Sequence, residues 1–154
     1  MELGCVASGL IHTFRFFRGS AVVSNKLGHV SVERHTKGGI CFFFQIDYNK
    51  KELLFTASIT RDDERFNRKE GRRICFDRAQ NDAARTFRMP YTEGYELLDQ
   101  VFTNLTRAEE TGELQEKPFL RTLLAKMRVY EQQNGESAAL YQDLLDTGVI
   151  VIVE

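Results

Sequence analysis

The apolar residues of this chain change their spacing near residue 62, and that change limits the possible folds more than any other feature. Up to residue 60, apolar and β-branched residues alternate with polar ones or form short runs, which is typical of strands. Beyond Phe66 they recur every three or four residues, which is typical of helices. The sequence therefore predicts an α+β fold, in which a mainly antiparallel β-sheet from the N-terminal half carries the helices of the C-terminal half.

Two neighbouring apolar segments, 40–47 and 52–59, are the predicted centre of the sheet. The residues between them, 48–51, have the length and composition of a hairpin connection. The first segment is apolar on both faces near its start, because Phe42, Phe44 and Ile46 alternate with Cys41, Phe43 and Gln45. A chain with 12 phenylalanines and no tryptophan has more apolar surface here than one small sheet can cover, so we expect a homo-oligomer. Shorter strands are predicted at 11–18, 21–23 and 30–32.

Helical spacing predicts four helices in the second half of the chain. The first covers residues 68–79, with an extension toward Phe87 that Met89-Pro90 would stop. The others cover residues 96–110, 118–133 and 137–146. A final apolar run, 149–153, predicts a terminal strand that joins the sheet. No repeat or low-complexity linker interrupts the pattern, so a single domain spanning residues 1–154 is expected.

Charge is distributed unevenly along a chain whose formal net charge is −1. Residues 1–60 carry seven Lys/Arg against four Asp/Glu, and residues 61–88 carry nine against six. Residues 89–154 reverse the balance, with five against twelve. An acidic C-terminal half argues against a protein that wraps nucleic acid over its whole surface, because that function needs a broad cationic footprint. A compact site for an anion is compatible with this distribution.

The cysteines, the first residues of the sequence and the short apolar runs indicate a cytoplasmic protein. Cys5, Cys41 and Cys75 are far apart and form no CxxC pair, so reduced, partly buried thiols are expected. The first seven residues lack the basic leader and long apolar core of a signal peptide. The longest apolar runs are about five residues long, against the roughly 20 that cross a bilayer. We therefore expect no membrane association.

Motifs for catalysis and metal binding are missing from the sequence. The three histidines form neither HxH nor HExxH, and the glycine pairs do not form GxGxxG or GxxxxGK[ST]. The acidic run Asp62-Asp63-Glu64 fits an acidic cap for the next helix better than a metal site. No Ser or Cys nucleophile stands beside an obvious base. The protein is accordingly expected not to be an enzyme and to need no cofactor or metal.

A basic segment at the start of the first predicted helix is the candidate binding site. Five cations and one anion lie between Arg65 and Arg73. A helix start adds unpaired backbone N–H groups and a partial positive charge, so an anion is the expected ligand. Two cationic rows are predicted, because helical neighbours are four residues apart in the pairs Arg68 with Arg72 and Lys69 with Arg73.

Two further residues of the segment fit a ligand site. Phe66 offers an aromatic ring beside guanidinium groups, which suits a base next to a phosphate. Gly71 costs a helix about 1 kcal/mol relative to alanine, and such a cost is tolerated where the backbone must come close to a ligand, a strand or another subunit. The alternative to a ligand site is a cationic helix face that contacts only solvent, and the sequence is compatible with both.

The residues 66–74 read F-N-R-K-E-G-R-R-I and resemble an F-x-R-K-x-G-R-x-I pattern of small phage proteins, which include the Thoeris anti-defence sponges. The resemblance covers roughly residues 40–80. It implies a phage-encoded, oligomeric protein that sequesters a cyclic ADP-ribose isomer or a cyclic dinucleotide between subunits, without turnover. The ligand-binding residues it implies are Phe66, Arg68, Lys69, Gly71, Arg72 and Arg73. The segments before residue 40 and after residue 90 match no part of that pattern.

The sequence is compatible with two functions from different classes. The first is a sponge for a cyclic nucleotide immune signal. The second is a phage protein that binds nucleic acid or a host factor through the same basic helix over residues 65–73. The acidic C-terminal half favours the small ligand.

Overall fold

Two long strands joined by a short turn form the middle of the fold. In the computed structural model, residues 9–25 and 27–148 are described in full and residues 2–5 by their backbone. In chain order the elements are β1 (Glu2–Cys5), β2 (Leu10–Phe17), β3 (Ser20–Ser24), β4 (Val30–Arg34), β5 (Lys37–Asp47), β6 (Glu52–Arg65), α1 (Arg68–Asn81), a 3-10 turn (Ala83–Arg85), β7 (Thr86–Pro90), α2 (Leu97–Glu110) and α3 (Pro118–Asp146).

The main sheet has five antiparallel strands in the order β1-β2-β5-β6-β7, and β3 and β4 form a separate two-stranded ribbon. The predicted α+β class is therefore confirmed. The predicted hairpin is also confirmed, because β5 and β6 pair from Asp47↔Glu52 onward. Its turn begins at Asp47, whose carboxylate accepts hydrogen bonds from the backbone N–H groups of Asn49 and Lys50 at 3.0 Å each.

Helices cover both faces of the sheet, so the fold has three layers. One face of β5 carries Phe42 and Phe44 and packs on α2 and α3. The opposite face carries Cys41 and Phe43 and packs on α1 together with Phe14 of β2. The strand is apolar on both faces, as the alternation predicted. Since the chain's own helices cover both faces, the sheet itself does not require a second subunit to cover it.

The first helix is shorter than the sequence predicts. The extension of α1 toward Phe87 is wrong, because α1 ends at Asn81 and residues Thr86–Pro90 form the edge strand β7. The Thr86 hydroxyl donates to the carbonyls of Arg78 and Asp82, 3.0 and 2.8 Å away, which turns the chain back toward the sheet. Phe87 then faces Phe55 of β6, with ring centroids 5.7 Å apart. The sheet therefore includes a strand from the second half of the chain.

The last two predicted helices, 118–133 and 137–146, are one continuous helix, α3. The break expected around Gly135 does not occur because the neighbouring polar residues are anchored to β3 and the end of β2. Asn134 accepts a hydrogen bond from the Ser20 hydroxyl at 2.8 Å and donates to the Arg18 carbonyl at 3.2 Å. The Ser137 hydroxyl donates to the Ser20 carbonyl at 2.9 Å. These contacts offset the low helix propensity of glycine.

The predicted terminal strand 149–153 lies outside the described residues. Within the described part of the chain, none of the helices combines the length and the apolar character needed to span a membrane.

Candidate functional site

Helix α1 begins at Arg68, inside the basic segment, and its N-cap is Asn67. The Asn67 side-chain oxygen accepts a hydrogen bond from the Glu70 N–H at 3.0 Å. The predicted acidic cap at Asp62-Asp63-Glu64 is therefore wrong, because β6 continues to Arg65 and holds these residues in extended chain. Asp62 instead pairs with Lys126 at 2.6 Å, and Asp63 with Arg61 at 2.9 Å. The described residues contain no group of three or more His, Cys, Asp or Glu placed to hold a metal ion.

Gly71 lies on the inner side of α1 and sets how closely the helix approaches β5. A Cβ added to Gly71 would lie 2.9 Å from the Cys41 Cβ, which is closer than such atoms come in proteins. A ligand, a strand or another subunit could explain a glycine in the middle of a helix. In this structure the close neighbour is the strand β5. Gly71 therefore shapes the helix–sheet contact and its own atoms are buried beneath the cationic surface.

Cys75 belongs to the same contact and is a poor nucleophile. Its Sγ lies 3.1 Å from the Cys41 carbonyl oxygen, and both thiols are free and fully buried. The pKa of the Cys75 thiol is raised far above its ordinary value. Hydrogen bonding with Cys41 is the largest cause, and burial is the second. The thiol therefore stays protonated at neutral pH.

Three arginines and two phenylalanines interleave where the start of α1 meets the end of β2. We call this group, Phe16, Arg18, Phe66, Arg68 and Arg72, the arginine–phenylalanine cluster. The guanidinium carbon of Arg18 is 4.7 Å from the centroid of the Phe66 ring, and those of Arg68 and Arg72 are 5.0 and 5.8 Å from the Phe16 ring. The two rings meet edge to face at 5.9 Å. Each of the three cations thus contacts one of the two rings.

Arg18 is the half-buried centre of this positive charge. One of its Nη atoms donates to the His35 carbonyl, while its Nε is buried and has no hydrogen-bond partner within the described residues. Burial, together with the nearby charges of Arg68 and Arg34, lowers the pKa of Arg18. Neither Arg18, Arg34, Arg68 nor Arg72 forms an ion pair with any described carboxylate. An anion would relieve this uncompensated repulsion.

A second feature beside the cluster is a cavity of about 360 Å³ with both polar and apolar walls. It lies between the end of β2, the ribbon strand β4 and α3, and its cations are Arg18 and Arg34. Asn134 closes one side and is itself held by Ser20 and Arg18. The cavity volume is in the range of small-ligand sites, and its cationic wall suits a phosphate.

The structure divides the six residues predicted for the site. Phe66, Arg68 and Arg72 lie together in the arginine–phenylalanine cluster. Lys69 is exposed, and Arg73 pairs with Glu70, with Arg73 Nη2 2.5 Å from Glu70 Oε1. That ion pair lowers the pKa of Glu70 and raises that of Arg73. Of the two predicted rows, the one with Arg68 and Arg72 therefore joins an unpaired cationic cluster.

The Phe66 ring has structural contacts on more than one side. Arg18 lies over it, and a Cβ added to Gly39 would come within 2.6 Å of its Cδ1 atom. The stacking partner that the sequence assigned to a ligand base is therefore already packed between the strand and an arginine. In this structure Phe66 positions Arg18.

Three members of this site were not found from the sequence: Phe16, Arg18 and Arg34. Each comes from the first 34 residues, whereas α1 begins at residue 68. The two arginines offer only the signal of a cation at the end of a strand, Arg18 after β2 and Arg34 at the end of β4, and many surface strands have that feature. The antiparallel register that places β2 beside β5 brings Phe16 and Arg18 to α1, and Arg34 comes from the separate β3–β4 ribbon. A comparison of the chain with family models, curated proteins and solved structures finds no match.

Proposed function

We propose that this protein binds the phosphate of a small nucleotide at the arginine–phenylalanine cluster and holds the nucleotide without chemical turnover. The observation that carries the proposal is the set of four guanidinium groups, Arg18, Arg34, Arg68 and Arg72, that lack a carboxylate partner among the described residues. Guanidinium groups pair with phosphate through two parallel hydrogen bonds. A bound phosphate therefore stabilises an arrangement that is repulsive when empty.

The resemblance over residues 66–74 supports a narrower version of the proposal. In that version the ligand is a cyclic ADP-ribose isomer or a cyclic dinucleotide, and the protein is a phage-encoded anti-defence sponge in the host cytoplasm. A sponge needs tight binding and no catalytic group. The protonated Cys75 thiol and the paired acids Asp62 and Asp63 fit such a role, since they supply neither nucleophile nor metal ligand.

A small ligand accounts for the charge pattern better than a polymer does. The unpaired cations lie at one end of α1, whereas residues 89–154 carry twelve acidic residues against five basic ones. A nucleic acid that followed the surface beyond the cluster would meet this negative charge. Binding of nucleic acid or of a host factor is thus the outcome that would replace the proposal.

The test measures nucleotide affinity by isothermal titration calorimetry for wild type and two single variants. Arg72→Ala should lower affinity for the best-bound cyclic nucleotide at least about tenfold, which corresponds to roughly 1.4 kcal/mol. The matched control is Arg121→Ala, which removes an exposed arginine of α3 with no described partner and should leave affinity unchanged. Thermal unfolding should shift little in either variant, because an exposed cation or a single cation–π contact contributes no more than about 1 kcal/mol.

Salt dependence separates the small ligand from the polymer. Release of many counterions makes nucleic-acid binding fall steeply with salt, whereas a pocket for one nucleotide is much less sensitive. If wild type binds no cyclic nucleotide but binds single- or double-stranded nucleic acid with a steep salt slope, the sponge proposal is wrong. Equal affinities of wild type and Arg72→Ala would instead show that α1 presents a solvated face.

Self-association stays a prediction of this proposal, now with a different physical basis. The sheet faces are covered, but α3 exposes apolar side chains, with Val129 47% and Leu140 50% accessible. A symmetric pairing through α3 would bury them. Sedimentation velocity at micromolar concentration should show a species larger than the 17.8 kDa chain, and a sole monomer would contradict the prediction.

A further inference from the structure

A second, mainly apolar cavity of about 390 Å³ adjoins the cationic one. It lies where α2 and α3 approach β2, and its apolar surface comes from Phe17, Leu98, Phe102 and Met127. Phe17 and Asn134 line both cavities, so the two form one groove. We call it the α2/α3 groove. It offers a flat apolar group a place directly beside the phosphate-binding arginines.

The rim of the apolar cavity in this groove is acidic. Glu96, Asp99 and Glu131 line it, and none of them forms an ion pair with another described residue. Arg15 lies on the same rim, but its Nη1 donates to the Thr13 hydroxyl at 2.5 Å and to the Phe14 carbonyl at 3.0 Å. The carboxylates therefore keep their acceptor capacity. They are suited to hydrogen-bond donors on a ligand.

The groove thus combines unpaired guanidinium groups, Arg18 and Arg34, in one cavity with unpaired carboxylates in the apolar cavity that adjoins it. Arg15 and Arg18, three residues apart on extended chain, are separated by roughly 10 Å. Glu131 and Asn134, three residues apart on α3, are separated by about 5 Å along the helix axis. Both steps are short enough for one nucleoside to reach from the cationic cavity into the apolar one. A cationic cavity beside an apolar one with an acidic rim matches a phosphate beside a flat ring that carries an amino group.

We infer that the α2/α3 groove holds the base of a nucleoside phosphate and selects bases with an exocyclic amino group, while Arg18 and Arg34 hold the phosphate. The base packs between Phe17, Phe102 and Met127, and its amino group donates to Asp99 and Glu131. This assignment rests on the proposed function, because it takes the phosphate to lie at the arginine–phenylalanine cluster. It adds the part of the site that distinguishes one nucleotide from another.

The test uses adenosine monophosphate, uridine monophosphate and adenosine as calorimetric probes. Adenine carries an amino group where uracil presents a carbonyl oxygen, which the carboxylates repel. Wild type should bind adenosine monophosphate at least about tenfold more tightly than either of the other two probes, since each of them lacks one charge-assisted contact.

A pair of double variants locates the selectivity. In Asp99→Ala with Glu131→Ala, the preference for adenosine monophosphate over uridine monophosphate should fall to within about twofold. Its control, Glu113→Ala with Asp143→Ala, removes the same charge from exposed positions outside the groove and should keep the preference. Arg34→Ala, which removes a cation that lines the phosphate end of the groove, should weaken both nucleotides equally. Thermal unfolding of both double variants checks that the fold is intact.

The failures of the two proposals are distinguishable. If nucleotides bind and Arg72→Ala weakens them, but the base preference is absent or survives Asp99→Ala with Glu131→Ala, the groove assignment is wrong and the proposed function stands. Binding of cyclic nucleotides with no binding of adenosine monophosphate has the same meaning. If no nucleotide of either kind binds, both proposals fall.

Discussion

The two faces of strand β5 are both buried, but by different means. On one face, Phe42 and Phe44 join a large cluster with α2 and α3, and α3 alone buries six residues: Leu120, Leu123, Leu124, Met127, Tyr130 and Ser137. On the other face, α1 buries only Gly71 and Cys75. A thick layer of side chains separates helix from sheet in the first case, and close backbone approach replaces it in the second.

This difference explains how a charged helix can lie on a hydrophobic sheet. Because only a glycine and a cysteine of α1 are buried, the helix keeps most of its surface for polar residues. It is held by its Asn67 cap and by the Arg78 side chain, which donates to the Ala57 carbonyl at 2.6 Å. The face covered by α2 and α3 stabilises the protein by burying a large apolar surface. The face covered by α1 positions the cations of that helix.

The largest expected effect comes from the side with α2 and α3. Leu123→Ala removes a fully buried side chain and should lower the free energy of unfolding by about 2–5 kcal/mol. Cys75→Ala, on the side with α1, removes one sulfur and should cost about 1 kcal/mol. Urea titrations of both variants compare the two faces directly. Equal losses would mean that the face covered by α1 carries as much of the stability as the other.

Replacing a glycine with alanine should lower the stability of the protein in α1 and raise it in α3. Gly71→Ala places a Cβ 2.9 Å from the Cys41 Cβ, so it should destabilise the protein by about 1–3 kcal/mol despite the better helix propensity of alanine. In Gly135→Ala the new Cβ meets nothing within 4 Å, so the variant should gain up to about 1 kcal/mol. Thermal unfolding measures both. A stabilised Gly71→Ala would show that α1 can move away from β5.

The smallest of the three stability effects concerns the start of α1. Asn67→Ala removes the hydrogen bond to the Glu70 N–H and should cost about 1 kcal/mol. Asn67→Asp is the control, since aspartate caps equally well and should retain the stability. Chemical denaturation followed by circular dichroism provides the comparison. If Asn67→Ala matches wild type, the cap does not set where the cationic turn begins.

Local patterns predicted the elements whose cause is local. The β5–β6 hairpin follows from two apolar segments around a short turn, and α2 follows from apolar residues at three- and four-residue spacing. The predictions were wrong for the two elements that depend on tertiary contacts. The edge strand β7 pairs with a strand 30 residues earlier, and α3 passes through Gly135 because Asn134 and Ser137 bond to Ser20.

By itself, the sequence determined the α+β class, the apolar character of both faces of β5 and the presence of a basic segment at the start of α1. Periodicity and composition are properties of neighbouring residues, so they can be read without the fold. The Glu70–Arg73 pair is local to α1, but only the tertiary structure decided that Arg18 and Arg34 arrive from the β2 and β4 strand ends to join the unpaired Arg68 and Arg72. Charge compensation depends on distance in space, which antiparallel pairing sets between residues far apart in the chain.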